Sequence, residues 1–527
     1  MNAHSFRREI GIGGLTLTGI GAVIGSGWLF GAFHAAHSVG PVSVISWIIG
    51  GFAMLFLALS YAQIGGVISE AGGSVRFPQY THGSLFATLV GWASWLTQSS
   101  IPPTEATALV QYLNGYVPGL YSGGRLTALG ILFSLALMFL FVILNYFGVR
   151  LFARINNFVT VVKLLVPALT ILLVFATAFH PGNFTQFGGF APHGVGGALT
   201  AIATSGVIFS FLGFKPIIDF GAEGKNAKRS VPLAVIFTIM FAMIFYLLLQ
   251  IVFIGGLPQS TLTHGWGGLK FNSPFAQLAL SINLAWLAIL IYADAWISPS
   301  GSSFVITSSN ARTSYALAAN GIFPKFLLRL HPRYAVPHVA LFTNFLVGIV
   351  FLLPLPSWNL IVAVASSVGL FTYSSAAISA VSLVRLQIQG KTPVKGIQVI
   401  APIGFVVGSL IIFWAGWHSG SHATFALLAG VVLYLWTWSR QKWGMAQFRS
   451  GLFFVVYLVG LIFMQYAGTF GGGRGIVGRP WDSIVVAVFS LLIFYWGVGS
   501  GVKYMQESNS LHEMRTLNQT DDSELSI

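Results

Sequence analysis

The sequence predicts an all-α polytopic membrane protein of about fourteen transmembrane helices, with the first and sixth broken. Three observations carry this. Hydrophobic residues make up 55% of the chain and charged residues 7%, with a mean hydropathy of +0.80, whereas soluble domains carry about 25% charged residues. Apolar runs reach about 20 residues, the length a helix needs to cross hydrocarbon; barrel strands would show as alternating segments of about 10. Two of the runs hold helix-weakening residues in their interiors, at Gly25-Ser26-Gly27 and at Gly213 to Pro216.

The fourteen apolar segments are 12–34, 41–66, 86–113, 126–147, 157–180, 196–222, 231–256, 277–309, 337–355, 359–384, 400–418, 422–439, 449–468 and 482–503. An even number sets both termini on one side. Lys and Arg then sort sharply: 20 of the 26 fall on the side of the termini, 4 (Arg125, Lys270, Arg474 and Arg479) on the other, and Lys163 and Lys215 within segments. An excess of Lys and Arg marks the cytoplasmic side. Both termini are therefore expected in the cytoplasm, and the protein in the inner or plasma membrane. The net charge of +14 does not point to nucleic acid, because the charges sit in short loops between segments. Without cysteine there is no disulfide or thiolate chemistry. The first apolar run is too long for a cleavable leader and continues into the polytopic pattern.

The first segment weakens along Gly21-Ala-Val-Ile-Gly-Ser-Gly27-Trp-Leu-Phe30. In lipid, backbone groups freed by a break are tolerated only where they face protein or a polar cavity. The sixth reads Gly206-Val-Ile-Phe-Ser-Phe-Leu-Gly-Phe-Lys-Pro216; proline removes a donor and displaces the carbonyl four residues back. Glycines of this kind also serve close helix packing. The two breaks, however, stand five segments apart, as matching parts of two five-helix halves at 12–180 and 196–384 would. Such repeats place a substrate at mid-membrane between the broken helices of a secondary transporter. The rest comprises an N-terminal stretch 1–11, four further helices over 400–503 and a polar tail 504–527 that reads as disordered. The connection 310–336 reads as a short amphipathic helix ending at Asn320-Gly321.

Three stretches in this order resemble the amino acid–polyamine–organocation (APC) superfamily of permeases, and its proton-coupled acidic amino acid symporters in particular. They are Ile24-Gly-Ser-Gly-Trp28; Phe209-Ser-Phe-Leu-Gly-Phe214 followed by Glu223 and Asn226-Ala-Lys-Arg-Ser-Val-Pro232; and Ala311-Arg312 through Asn320-Gly-Ile-Phe-Pro324 to Val336-Pro337. The resemblance runs through ten segments and more loosely to twelve; the last two look like an addition. It implies a five-plus-five inverted repeat working by alternating access. It assigns a substrate α-carboxylate to Ser26 and Gly27, beside Gly25, where the following half-helix offers free N–H groups and its positive end. The ammonium falls to carbonyls around Val23, Ile24, Phe209 and Leu212, next to Gly213, and Phe209 resembles the gate aromatic.

Ionisable residues inside a membrane are costly, and each is a functional candidate. Lys163 resembles the fifth-segment lysine of proton-coupled members, whose amine lies between the first and eighth segments, and Ser298 is its expected eighth-segment neighbour. Because Lys163 stands about one turn into its predicted segment, snorkelling to the interface is the competing reading. Lys215 departs from relatives that carry basic amino acids and have an acidic residue there; a fixed cation favours aspartate or glutamate. It also has candidate internal partners in Asp219, four residues on, and in Asp294 or Glu105 from other segments. Asp294 is a candidate proton carrier or a static partner of a lysine, and the role of Glu105 stays open. Glu223 and Arg312 are assigned to a cytoplasmic gate. The histidines show no metal spacing, and the tryptophans mostly match an interfacial belt.

The expected function is proton-coupled symport of an acidic amino acid, with protons and the bilayer as further partners, no nucleic acid, no cofactor and no metal, as monomer or homodimer. A neutral amino acid permease and an exchanger are the alternatives on the same fold. A channel would need a polar pore face or filter loops, which the sequence lacks. A membrane enzyme lacks a nucleophile–His–acid constellation, and a nutrient sensor has little room for a signalling domain.

Overall fold

The computed structural model describes residues 10–65, 73–147, 149–219, 224–387, 394–441 and 443–508. Glu223, the N-terminal nine residues and the tail from 509 lie outside the described residues. The helices in chain order are α1 (Ile12–Val23), α2 (Gly27–Val39), α3 (Ser43–Gly65), α4 (Gly73–Leu113), α5 (Ala128–Tyr146), α6 (Val149–Ala178), α7 (Val195–Thr204), α8 (Pro216–Asp219), α9 (Ala227–Gly256), α10 (Pro274–Ser281), α11 (Ala285–Ala319), α12 (His338–Leu352), α13 (Trp358–Arg385), α14 (Ile397–Trp414), α15 (Gly416–Gln441), α16 (Met445–Ala467) and α17 (Trp481–Glu507). A two-residue hairpin, Tyr121–Ser122 with Arg125–Leu126, caps the loop before α5.

Nine helices among the described residues are long and apolar enough to cross a membrane, with α2 and α3 taken as one. The count is ten when α7 and the Phe209–Asp219 stretch, bent by 43°, form one crossing. The other predicted segments are helical but differ physically. α1 and α12 are short, at 12 and 15 residues. α4 and α11 carry serine, threonine and ionisable side chains that are buried against protein instead of facing lipid. α13 is the central helix: 89% of its apolar window is buried, against 33% for α5 and α6 at the rim. Many buried hydroxyls in the bundle return to the carbonyl one turn back, as those of Thr88 and Thr104 do at 2.7 Å. Each thereby satisfies itself where no water is at hand.

Both predicted breaks are present. α1 ends at Val23, Ile24 is extended (φ −83°, ψ 93°), and α2 restarts at Gly27. In the second break, Phe209–Phe214 forms a 3₁₀ turn between α7 and α8. The two meet backbone to backbone at Gly213, where an added Cβ would lie 2.4 Å from the Ala22 carbonyl oxygen and 2.5 Å from the Val23 nitrogen.

Several expectations are corrected. The segment 311–319 is no separate helix: α11 continues unbroken to Ala319 because nothing there interrupts its hydrogen bonds, although it does end at Asn320. α6 starts at Val149, eight residues before the predicted segment, so Lys163 stands about four turns inside it. The predicted eighth segment is split at Asn283 (φ 62°), between α10 and α11. α4 reaches back to Gly73 across a kink at Gly83, whose φ of 72° is glycine territory. Trp28, Trp47 and Trp358 belong to the core and not to an interfacial belt; each is at most 1% exposed.

Candidate functional site

Three helices bring a charged side chain to the break between α1 and α2. From α6, the Lys163 amine donates to the Gly21 carbonyl at 2.5 Å, meeting the carbonyls released as α1 ends. From α4, Glu105 Oε2 accepts the Ser26 N–H at 2.7 Å. From α11, Asp294 Oδ2 accepts the Trp28 indole N–H at 3.0 Å and the Ser298 hydroxyl at 2.7 Å. The Lys163 ammonium is near enough to interact with both carboxylates. Lys163, Glu105, Asp294 and Ser26 are all at most 1% exposed, which excludes snorkelling for Lys163.

The local sequence explains each placement. Ser26 is the N-cap position of α2 and its side chain makes no capping bond, so its amide is one of the orphan donors of a helix start. Glu105 satisfies it. Gly25 makes room: an added Cβ would lie 2.3 Å from Glu105 Oε1 and 2.9 Å from Ser302 Oγ. Ser302 in turn donates to the Ala22 carbonyl at 3.0 Å. On α11 the face toward Lys163 is Gly301, where an added Cβ would stand 3.2 Å from the amine. Ser298, the expected neighbour of Lys163, instead bonds Asp294.

Two of the four carbonyls assigned to a substrate ammonium already accept hydroxyls. Tyr246 donates to Val23 at 2.9 Å and Tyr373 to Leu212 at 2.5 Å. Ser26 Oγ accepts the Trp358 indole N–H at 2.7 Å. The Trp358 ring also contacts Phe30, Phe209 and His34 at centroid distances of 5.2, 5.8 and 5.2 Å. Phe209 thus lies beside the break, and Trp358 covers the same spot. Phe209 is 6% exposed, so the site is closed in this conformation.

Lys215 occupies a second level. Its amine donates to Ser94 Oγ of α4. The cavity there, lined by Thr97, Gln98, Leu212, Ile306 and Tyr373 among others, measures about 10 Å³, the space of about one water. No ion-pair contact joins Lys215 to Asp219 among the described residues, although the two stand near enough to interact electrostatically. Asp219 accepts hydroxyls from Ser74 at 2.6 Å and Ser309 at 2.8 Å, tying α8 to α4 and α11. Ser94 and Glu105 lie eleven residues apart on α4, about 16 Å of helix axis. The carboxyl carbons of an aspartate stand only about 4 Å apart. One such substrate does not touch Ser26 and Lys215 together here. Arg312 donates to Ser308 Oγ at 2.8 Å; its expected gate partner Glu223 lies outside the described residues.

Sequence reasoning left Glu105 without a role and missed Trp358, Tyr246 and Tyr373. Pro102-Pro103 before Glu105 was the available sign that α4 departs from an ordinary lipid-facing helix.

Comparison with known proteins agrees with this architecture. The sequence matches the family model described as "Amino acid permease" over residues 12–440. It is 38% identical to the glutamate/serine transporter AimA of Bacillus subtilis (strain 168), over 97% of each chain. It is 35% identical to the aspartate-proton symporter of the same organism, over 94% of this chain and 97% of the other. The branched-chain amino acid permease BcaP of B. subtilis is 26% identical over 82% of this chain and 93% of its own. The paired breaks, the many apolar helices and a match over most of the length lead to one conclusion: this chain is a multi-pass membrane protein and belongs to the amino acid permease family of the APC superfamily.

Proposed function

We propose that the protein is a proton-coupled symporter of amino acids, acidic ones first. It would work by alternating access on a five-plus-five inverted repeat, with fourteen crossings and both termini in the cytoplasm. The observation that carries the reading is the Glu105 carboxylate on the Ser26 amide, 2.7 Å away. That amide is the donor assigned to a substrate α-carboxylate. A substrate must displace Glu105 to use it. Displacement strands a buried carboxylate without its donor, which costs several kcal/mol unless the group takes a proton. Substrate and proton then enter together.

The neighbouring charges support the same scheme. Lys163⁺ with ionised Glu105 and Asp294 leaves one net negative charge in a buried site, and a single proton neutralises it. Lys163, anchored to Gly21, supplies the fixed positive charge. Asp294, with Ser298 and the Trp28 indole on one oxygen, is the second group able to hold the proton. The Val23–Gly27 break with Phe209, Leu212 and Gly213 forms the substrate compartment, and Arg312 with Glu223 the cytoplasmic gate. Lys215 is a cation one level away, met by a side-chain carboxylate on its path. The names of two relatives, a glutamate/serine transporter and an aspartate-proton symporter, support an acidic substrate and a coupled proton.

A second reading, a carrier of small neutral amino acids, is favoured by the separation of Lys215 from the break and by its bond to Ser94. Uptake of radiolabelled aspartate, glutamate and serine into proteoliposomes, with and without an inward acid gradient, separates the two. The first reading expects gradient-stimulated aspartate uptake that falls at least tenfold in Lys215→Ala while the variant still binds serine. Serine uptake without aspartate uptake in the wild type sustains the second. Uptake indifferent to the gradient removes proton coupling from both and leaves exchange.

A further inference from the structure

We propose that the groove between the 445–450 end of α16 and the 495–507 end of α17 binds the headgroup of an anionic phospholipid. The groove encloses about 540 Å³ and is lined by Arg449, Tyr495, Trp496, Gly499, Ser500 and Lys503 among others. Its floor is fixed by the Ser500 hydroxyl, which donates to the Ser450 carbonyl at 2.9 Å. Its width comes from Gly499, where an added Cβ would have nothing within 4 Å.

Charge selects the ligand's sign. Arg449 makes no hydrogen bond or ion pair among the described residues, so its donors are available. Lys503 has only a 3.9 Å contact to Glu507, with both side chains more than 60% exposed, and such pairs are weak. Two cations facing one acid give the groove a net positive charge. A guanidinium fork binds phosphate oxygens in two places at once. Basic pockets of this kind between transmembrane helices take anionic headgroups.

Surroundings select a lipid over a free anion. Tyr495 and Trp496 are 49% and 45% exposed beside the charged end, the position of an aromatic belt at headgroup level. Farther along the same helices Val488, Leu492, Val459 and Phe463 are 52–67% exposed. They offer exposed apolar side chains on both helices for acyl chains to lie against. A soluble phosphate would use the cations and leave those side chains unused.

The test uses the full chain in phosphatidylcholine nanodiscs. Brominated phosphatidylglycerol or brominated phosphatidylcholine is added at equal fractions, and the quenching of Trp496 is isolated as the difference between wild type and Trp496→Phe. At about fivefold per basic residue, phosphatidylglycerol should reach half-quenching at a mole fraction at least fivefold lower. Arg449→Gln/Lys503→Gln should abolish that preference, and inorganic phosphate should not compete. Equal quenching by the two lipids overturns the proposal, as does a preference that survives in the double variant. Competition by inorganic phosphate would replace the lipid with a free anion. Should the double variant not fold, wild-type protein at high salt is the second measurement: the preference must shrink, and one indifferent to salt overturns the proposal.

Discussion

Replacing Glu105 with glutamine separates the two things that residue does. Glu105→Gln keeps the length of the side chain and an acceptor oxygen for the Ser26 N–H, but holds neither charge nor a titrating proton. A hydrogen bond to a charged group is worth about 1.5–3 kcal/mol net and a neutral one about 1. A substrate carboxylate displacing the glutamine therefore meets about 0.5–2 kcal/mol less opposition. At 1.4 kcal/mol per decade, the variant should bind substrate about two- to thirtyfold more tightly than wild type in alkaline buffer. In acidic buffer, where a protonated Glu105 yields the amide, the two should converge. Wild-type affinity thus falls as pH rises, and the variant's does not. Transport shows the other half. An inward acid gradient of one unit supports about tenfold accumulation per coupled proton; the variant should lose that accumulation and keep counterflow exchange. Calorimetric titration at two pH values and proteoliposome uptake measure both. Gradient-driven accumulation in Glu105→Gln equal to wild type would refute the displacement scheme and move the proton to Asp294.

Other consequences follow from the same contacts. Gly213→Ala puts a methyl 2.4 Å from the Ala22 carbonyl oxygen. With backbone on both sides, the overpacking should cost about 1–3 kcal/mol or more and lower Tm in detergent. Gly478→Ala, with open space at that position, should leave Tm unchanged, and equal shifts would contradict the close-approach account. Trp358→Phe removes the N–H that Ser26 Oγ accepts at 2.7 Å while keeping an aromatic ring against Phe30 and Phe209. Loss of about 1 kcal/mol should weaken substrate binding about fivefold with little change in Tm; unchanged affinity would detach Trp358 from the site.

The broken helices were legible because glycine and proline act locally: the weakness at Gly25–Gly27 and at Gly213–Pro216 is written into the backbone. Membership in the superfamily was legible in part for the same reason, since two of its three motifs sit at those breaks. Lys163 was half legible. Arg150 and Arg154 made the segment seem to begin later, whereas α6 carries them in its first turns and buries Lys163 four turns in. Glu105 was visible as an intramembrane acid, but its partner lies 79 residues away, and no local rule pairs them. Trp358 was missed because an indole near a segment end is ordinarily interfacial. Only tertiary packing shows that its N–H points at Ser26. Lys215 was seen as a cation beside the substrate. The register of α4, which sets Ser94 three turns from Glu105, is a property of helix packing and not of sequence spacing in the sixth segment.

α11 has a mechanical meaning beyond its side chains. It is one helix of 35 residues, about 52 Å long, in a hydrocarbon layer of about 30 Å. Ser302 touches the Ala22 carbonyl near its middle, and Ser309 holds Asp219 farther down. On the proposed function, the part of this helix beyond Pro299 would act as a lever with its fulcrum at Ser302, beside the break. A tilt of about 15° about Ser302 carries Ser309, about 10 Å along the axis, sideways by nearly 3 Å. That stroke is the length of the Ser309–Asp219 bond, 2.8 Å. On the proposed cycle, a rearrangement small enough to fit around one amino acid would thereby be large enough, two turns along the same helix, to free α8 from α11 and leave it held to α4 through Ser74.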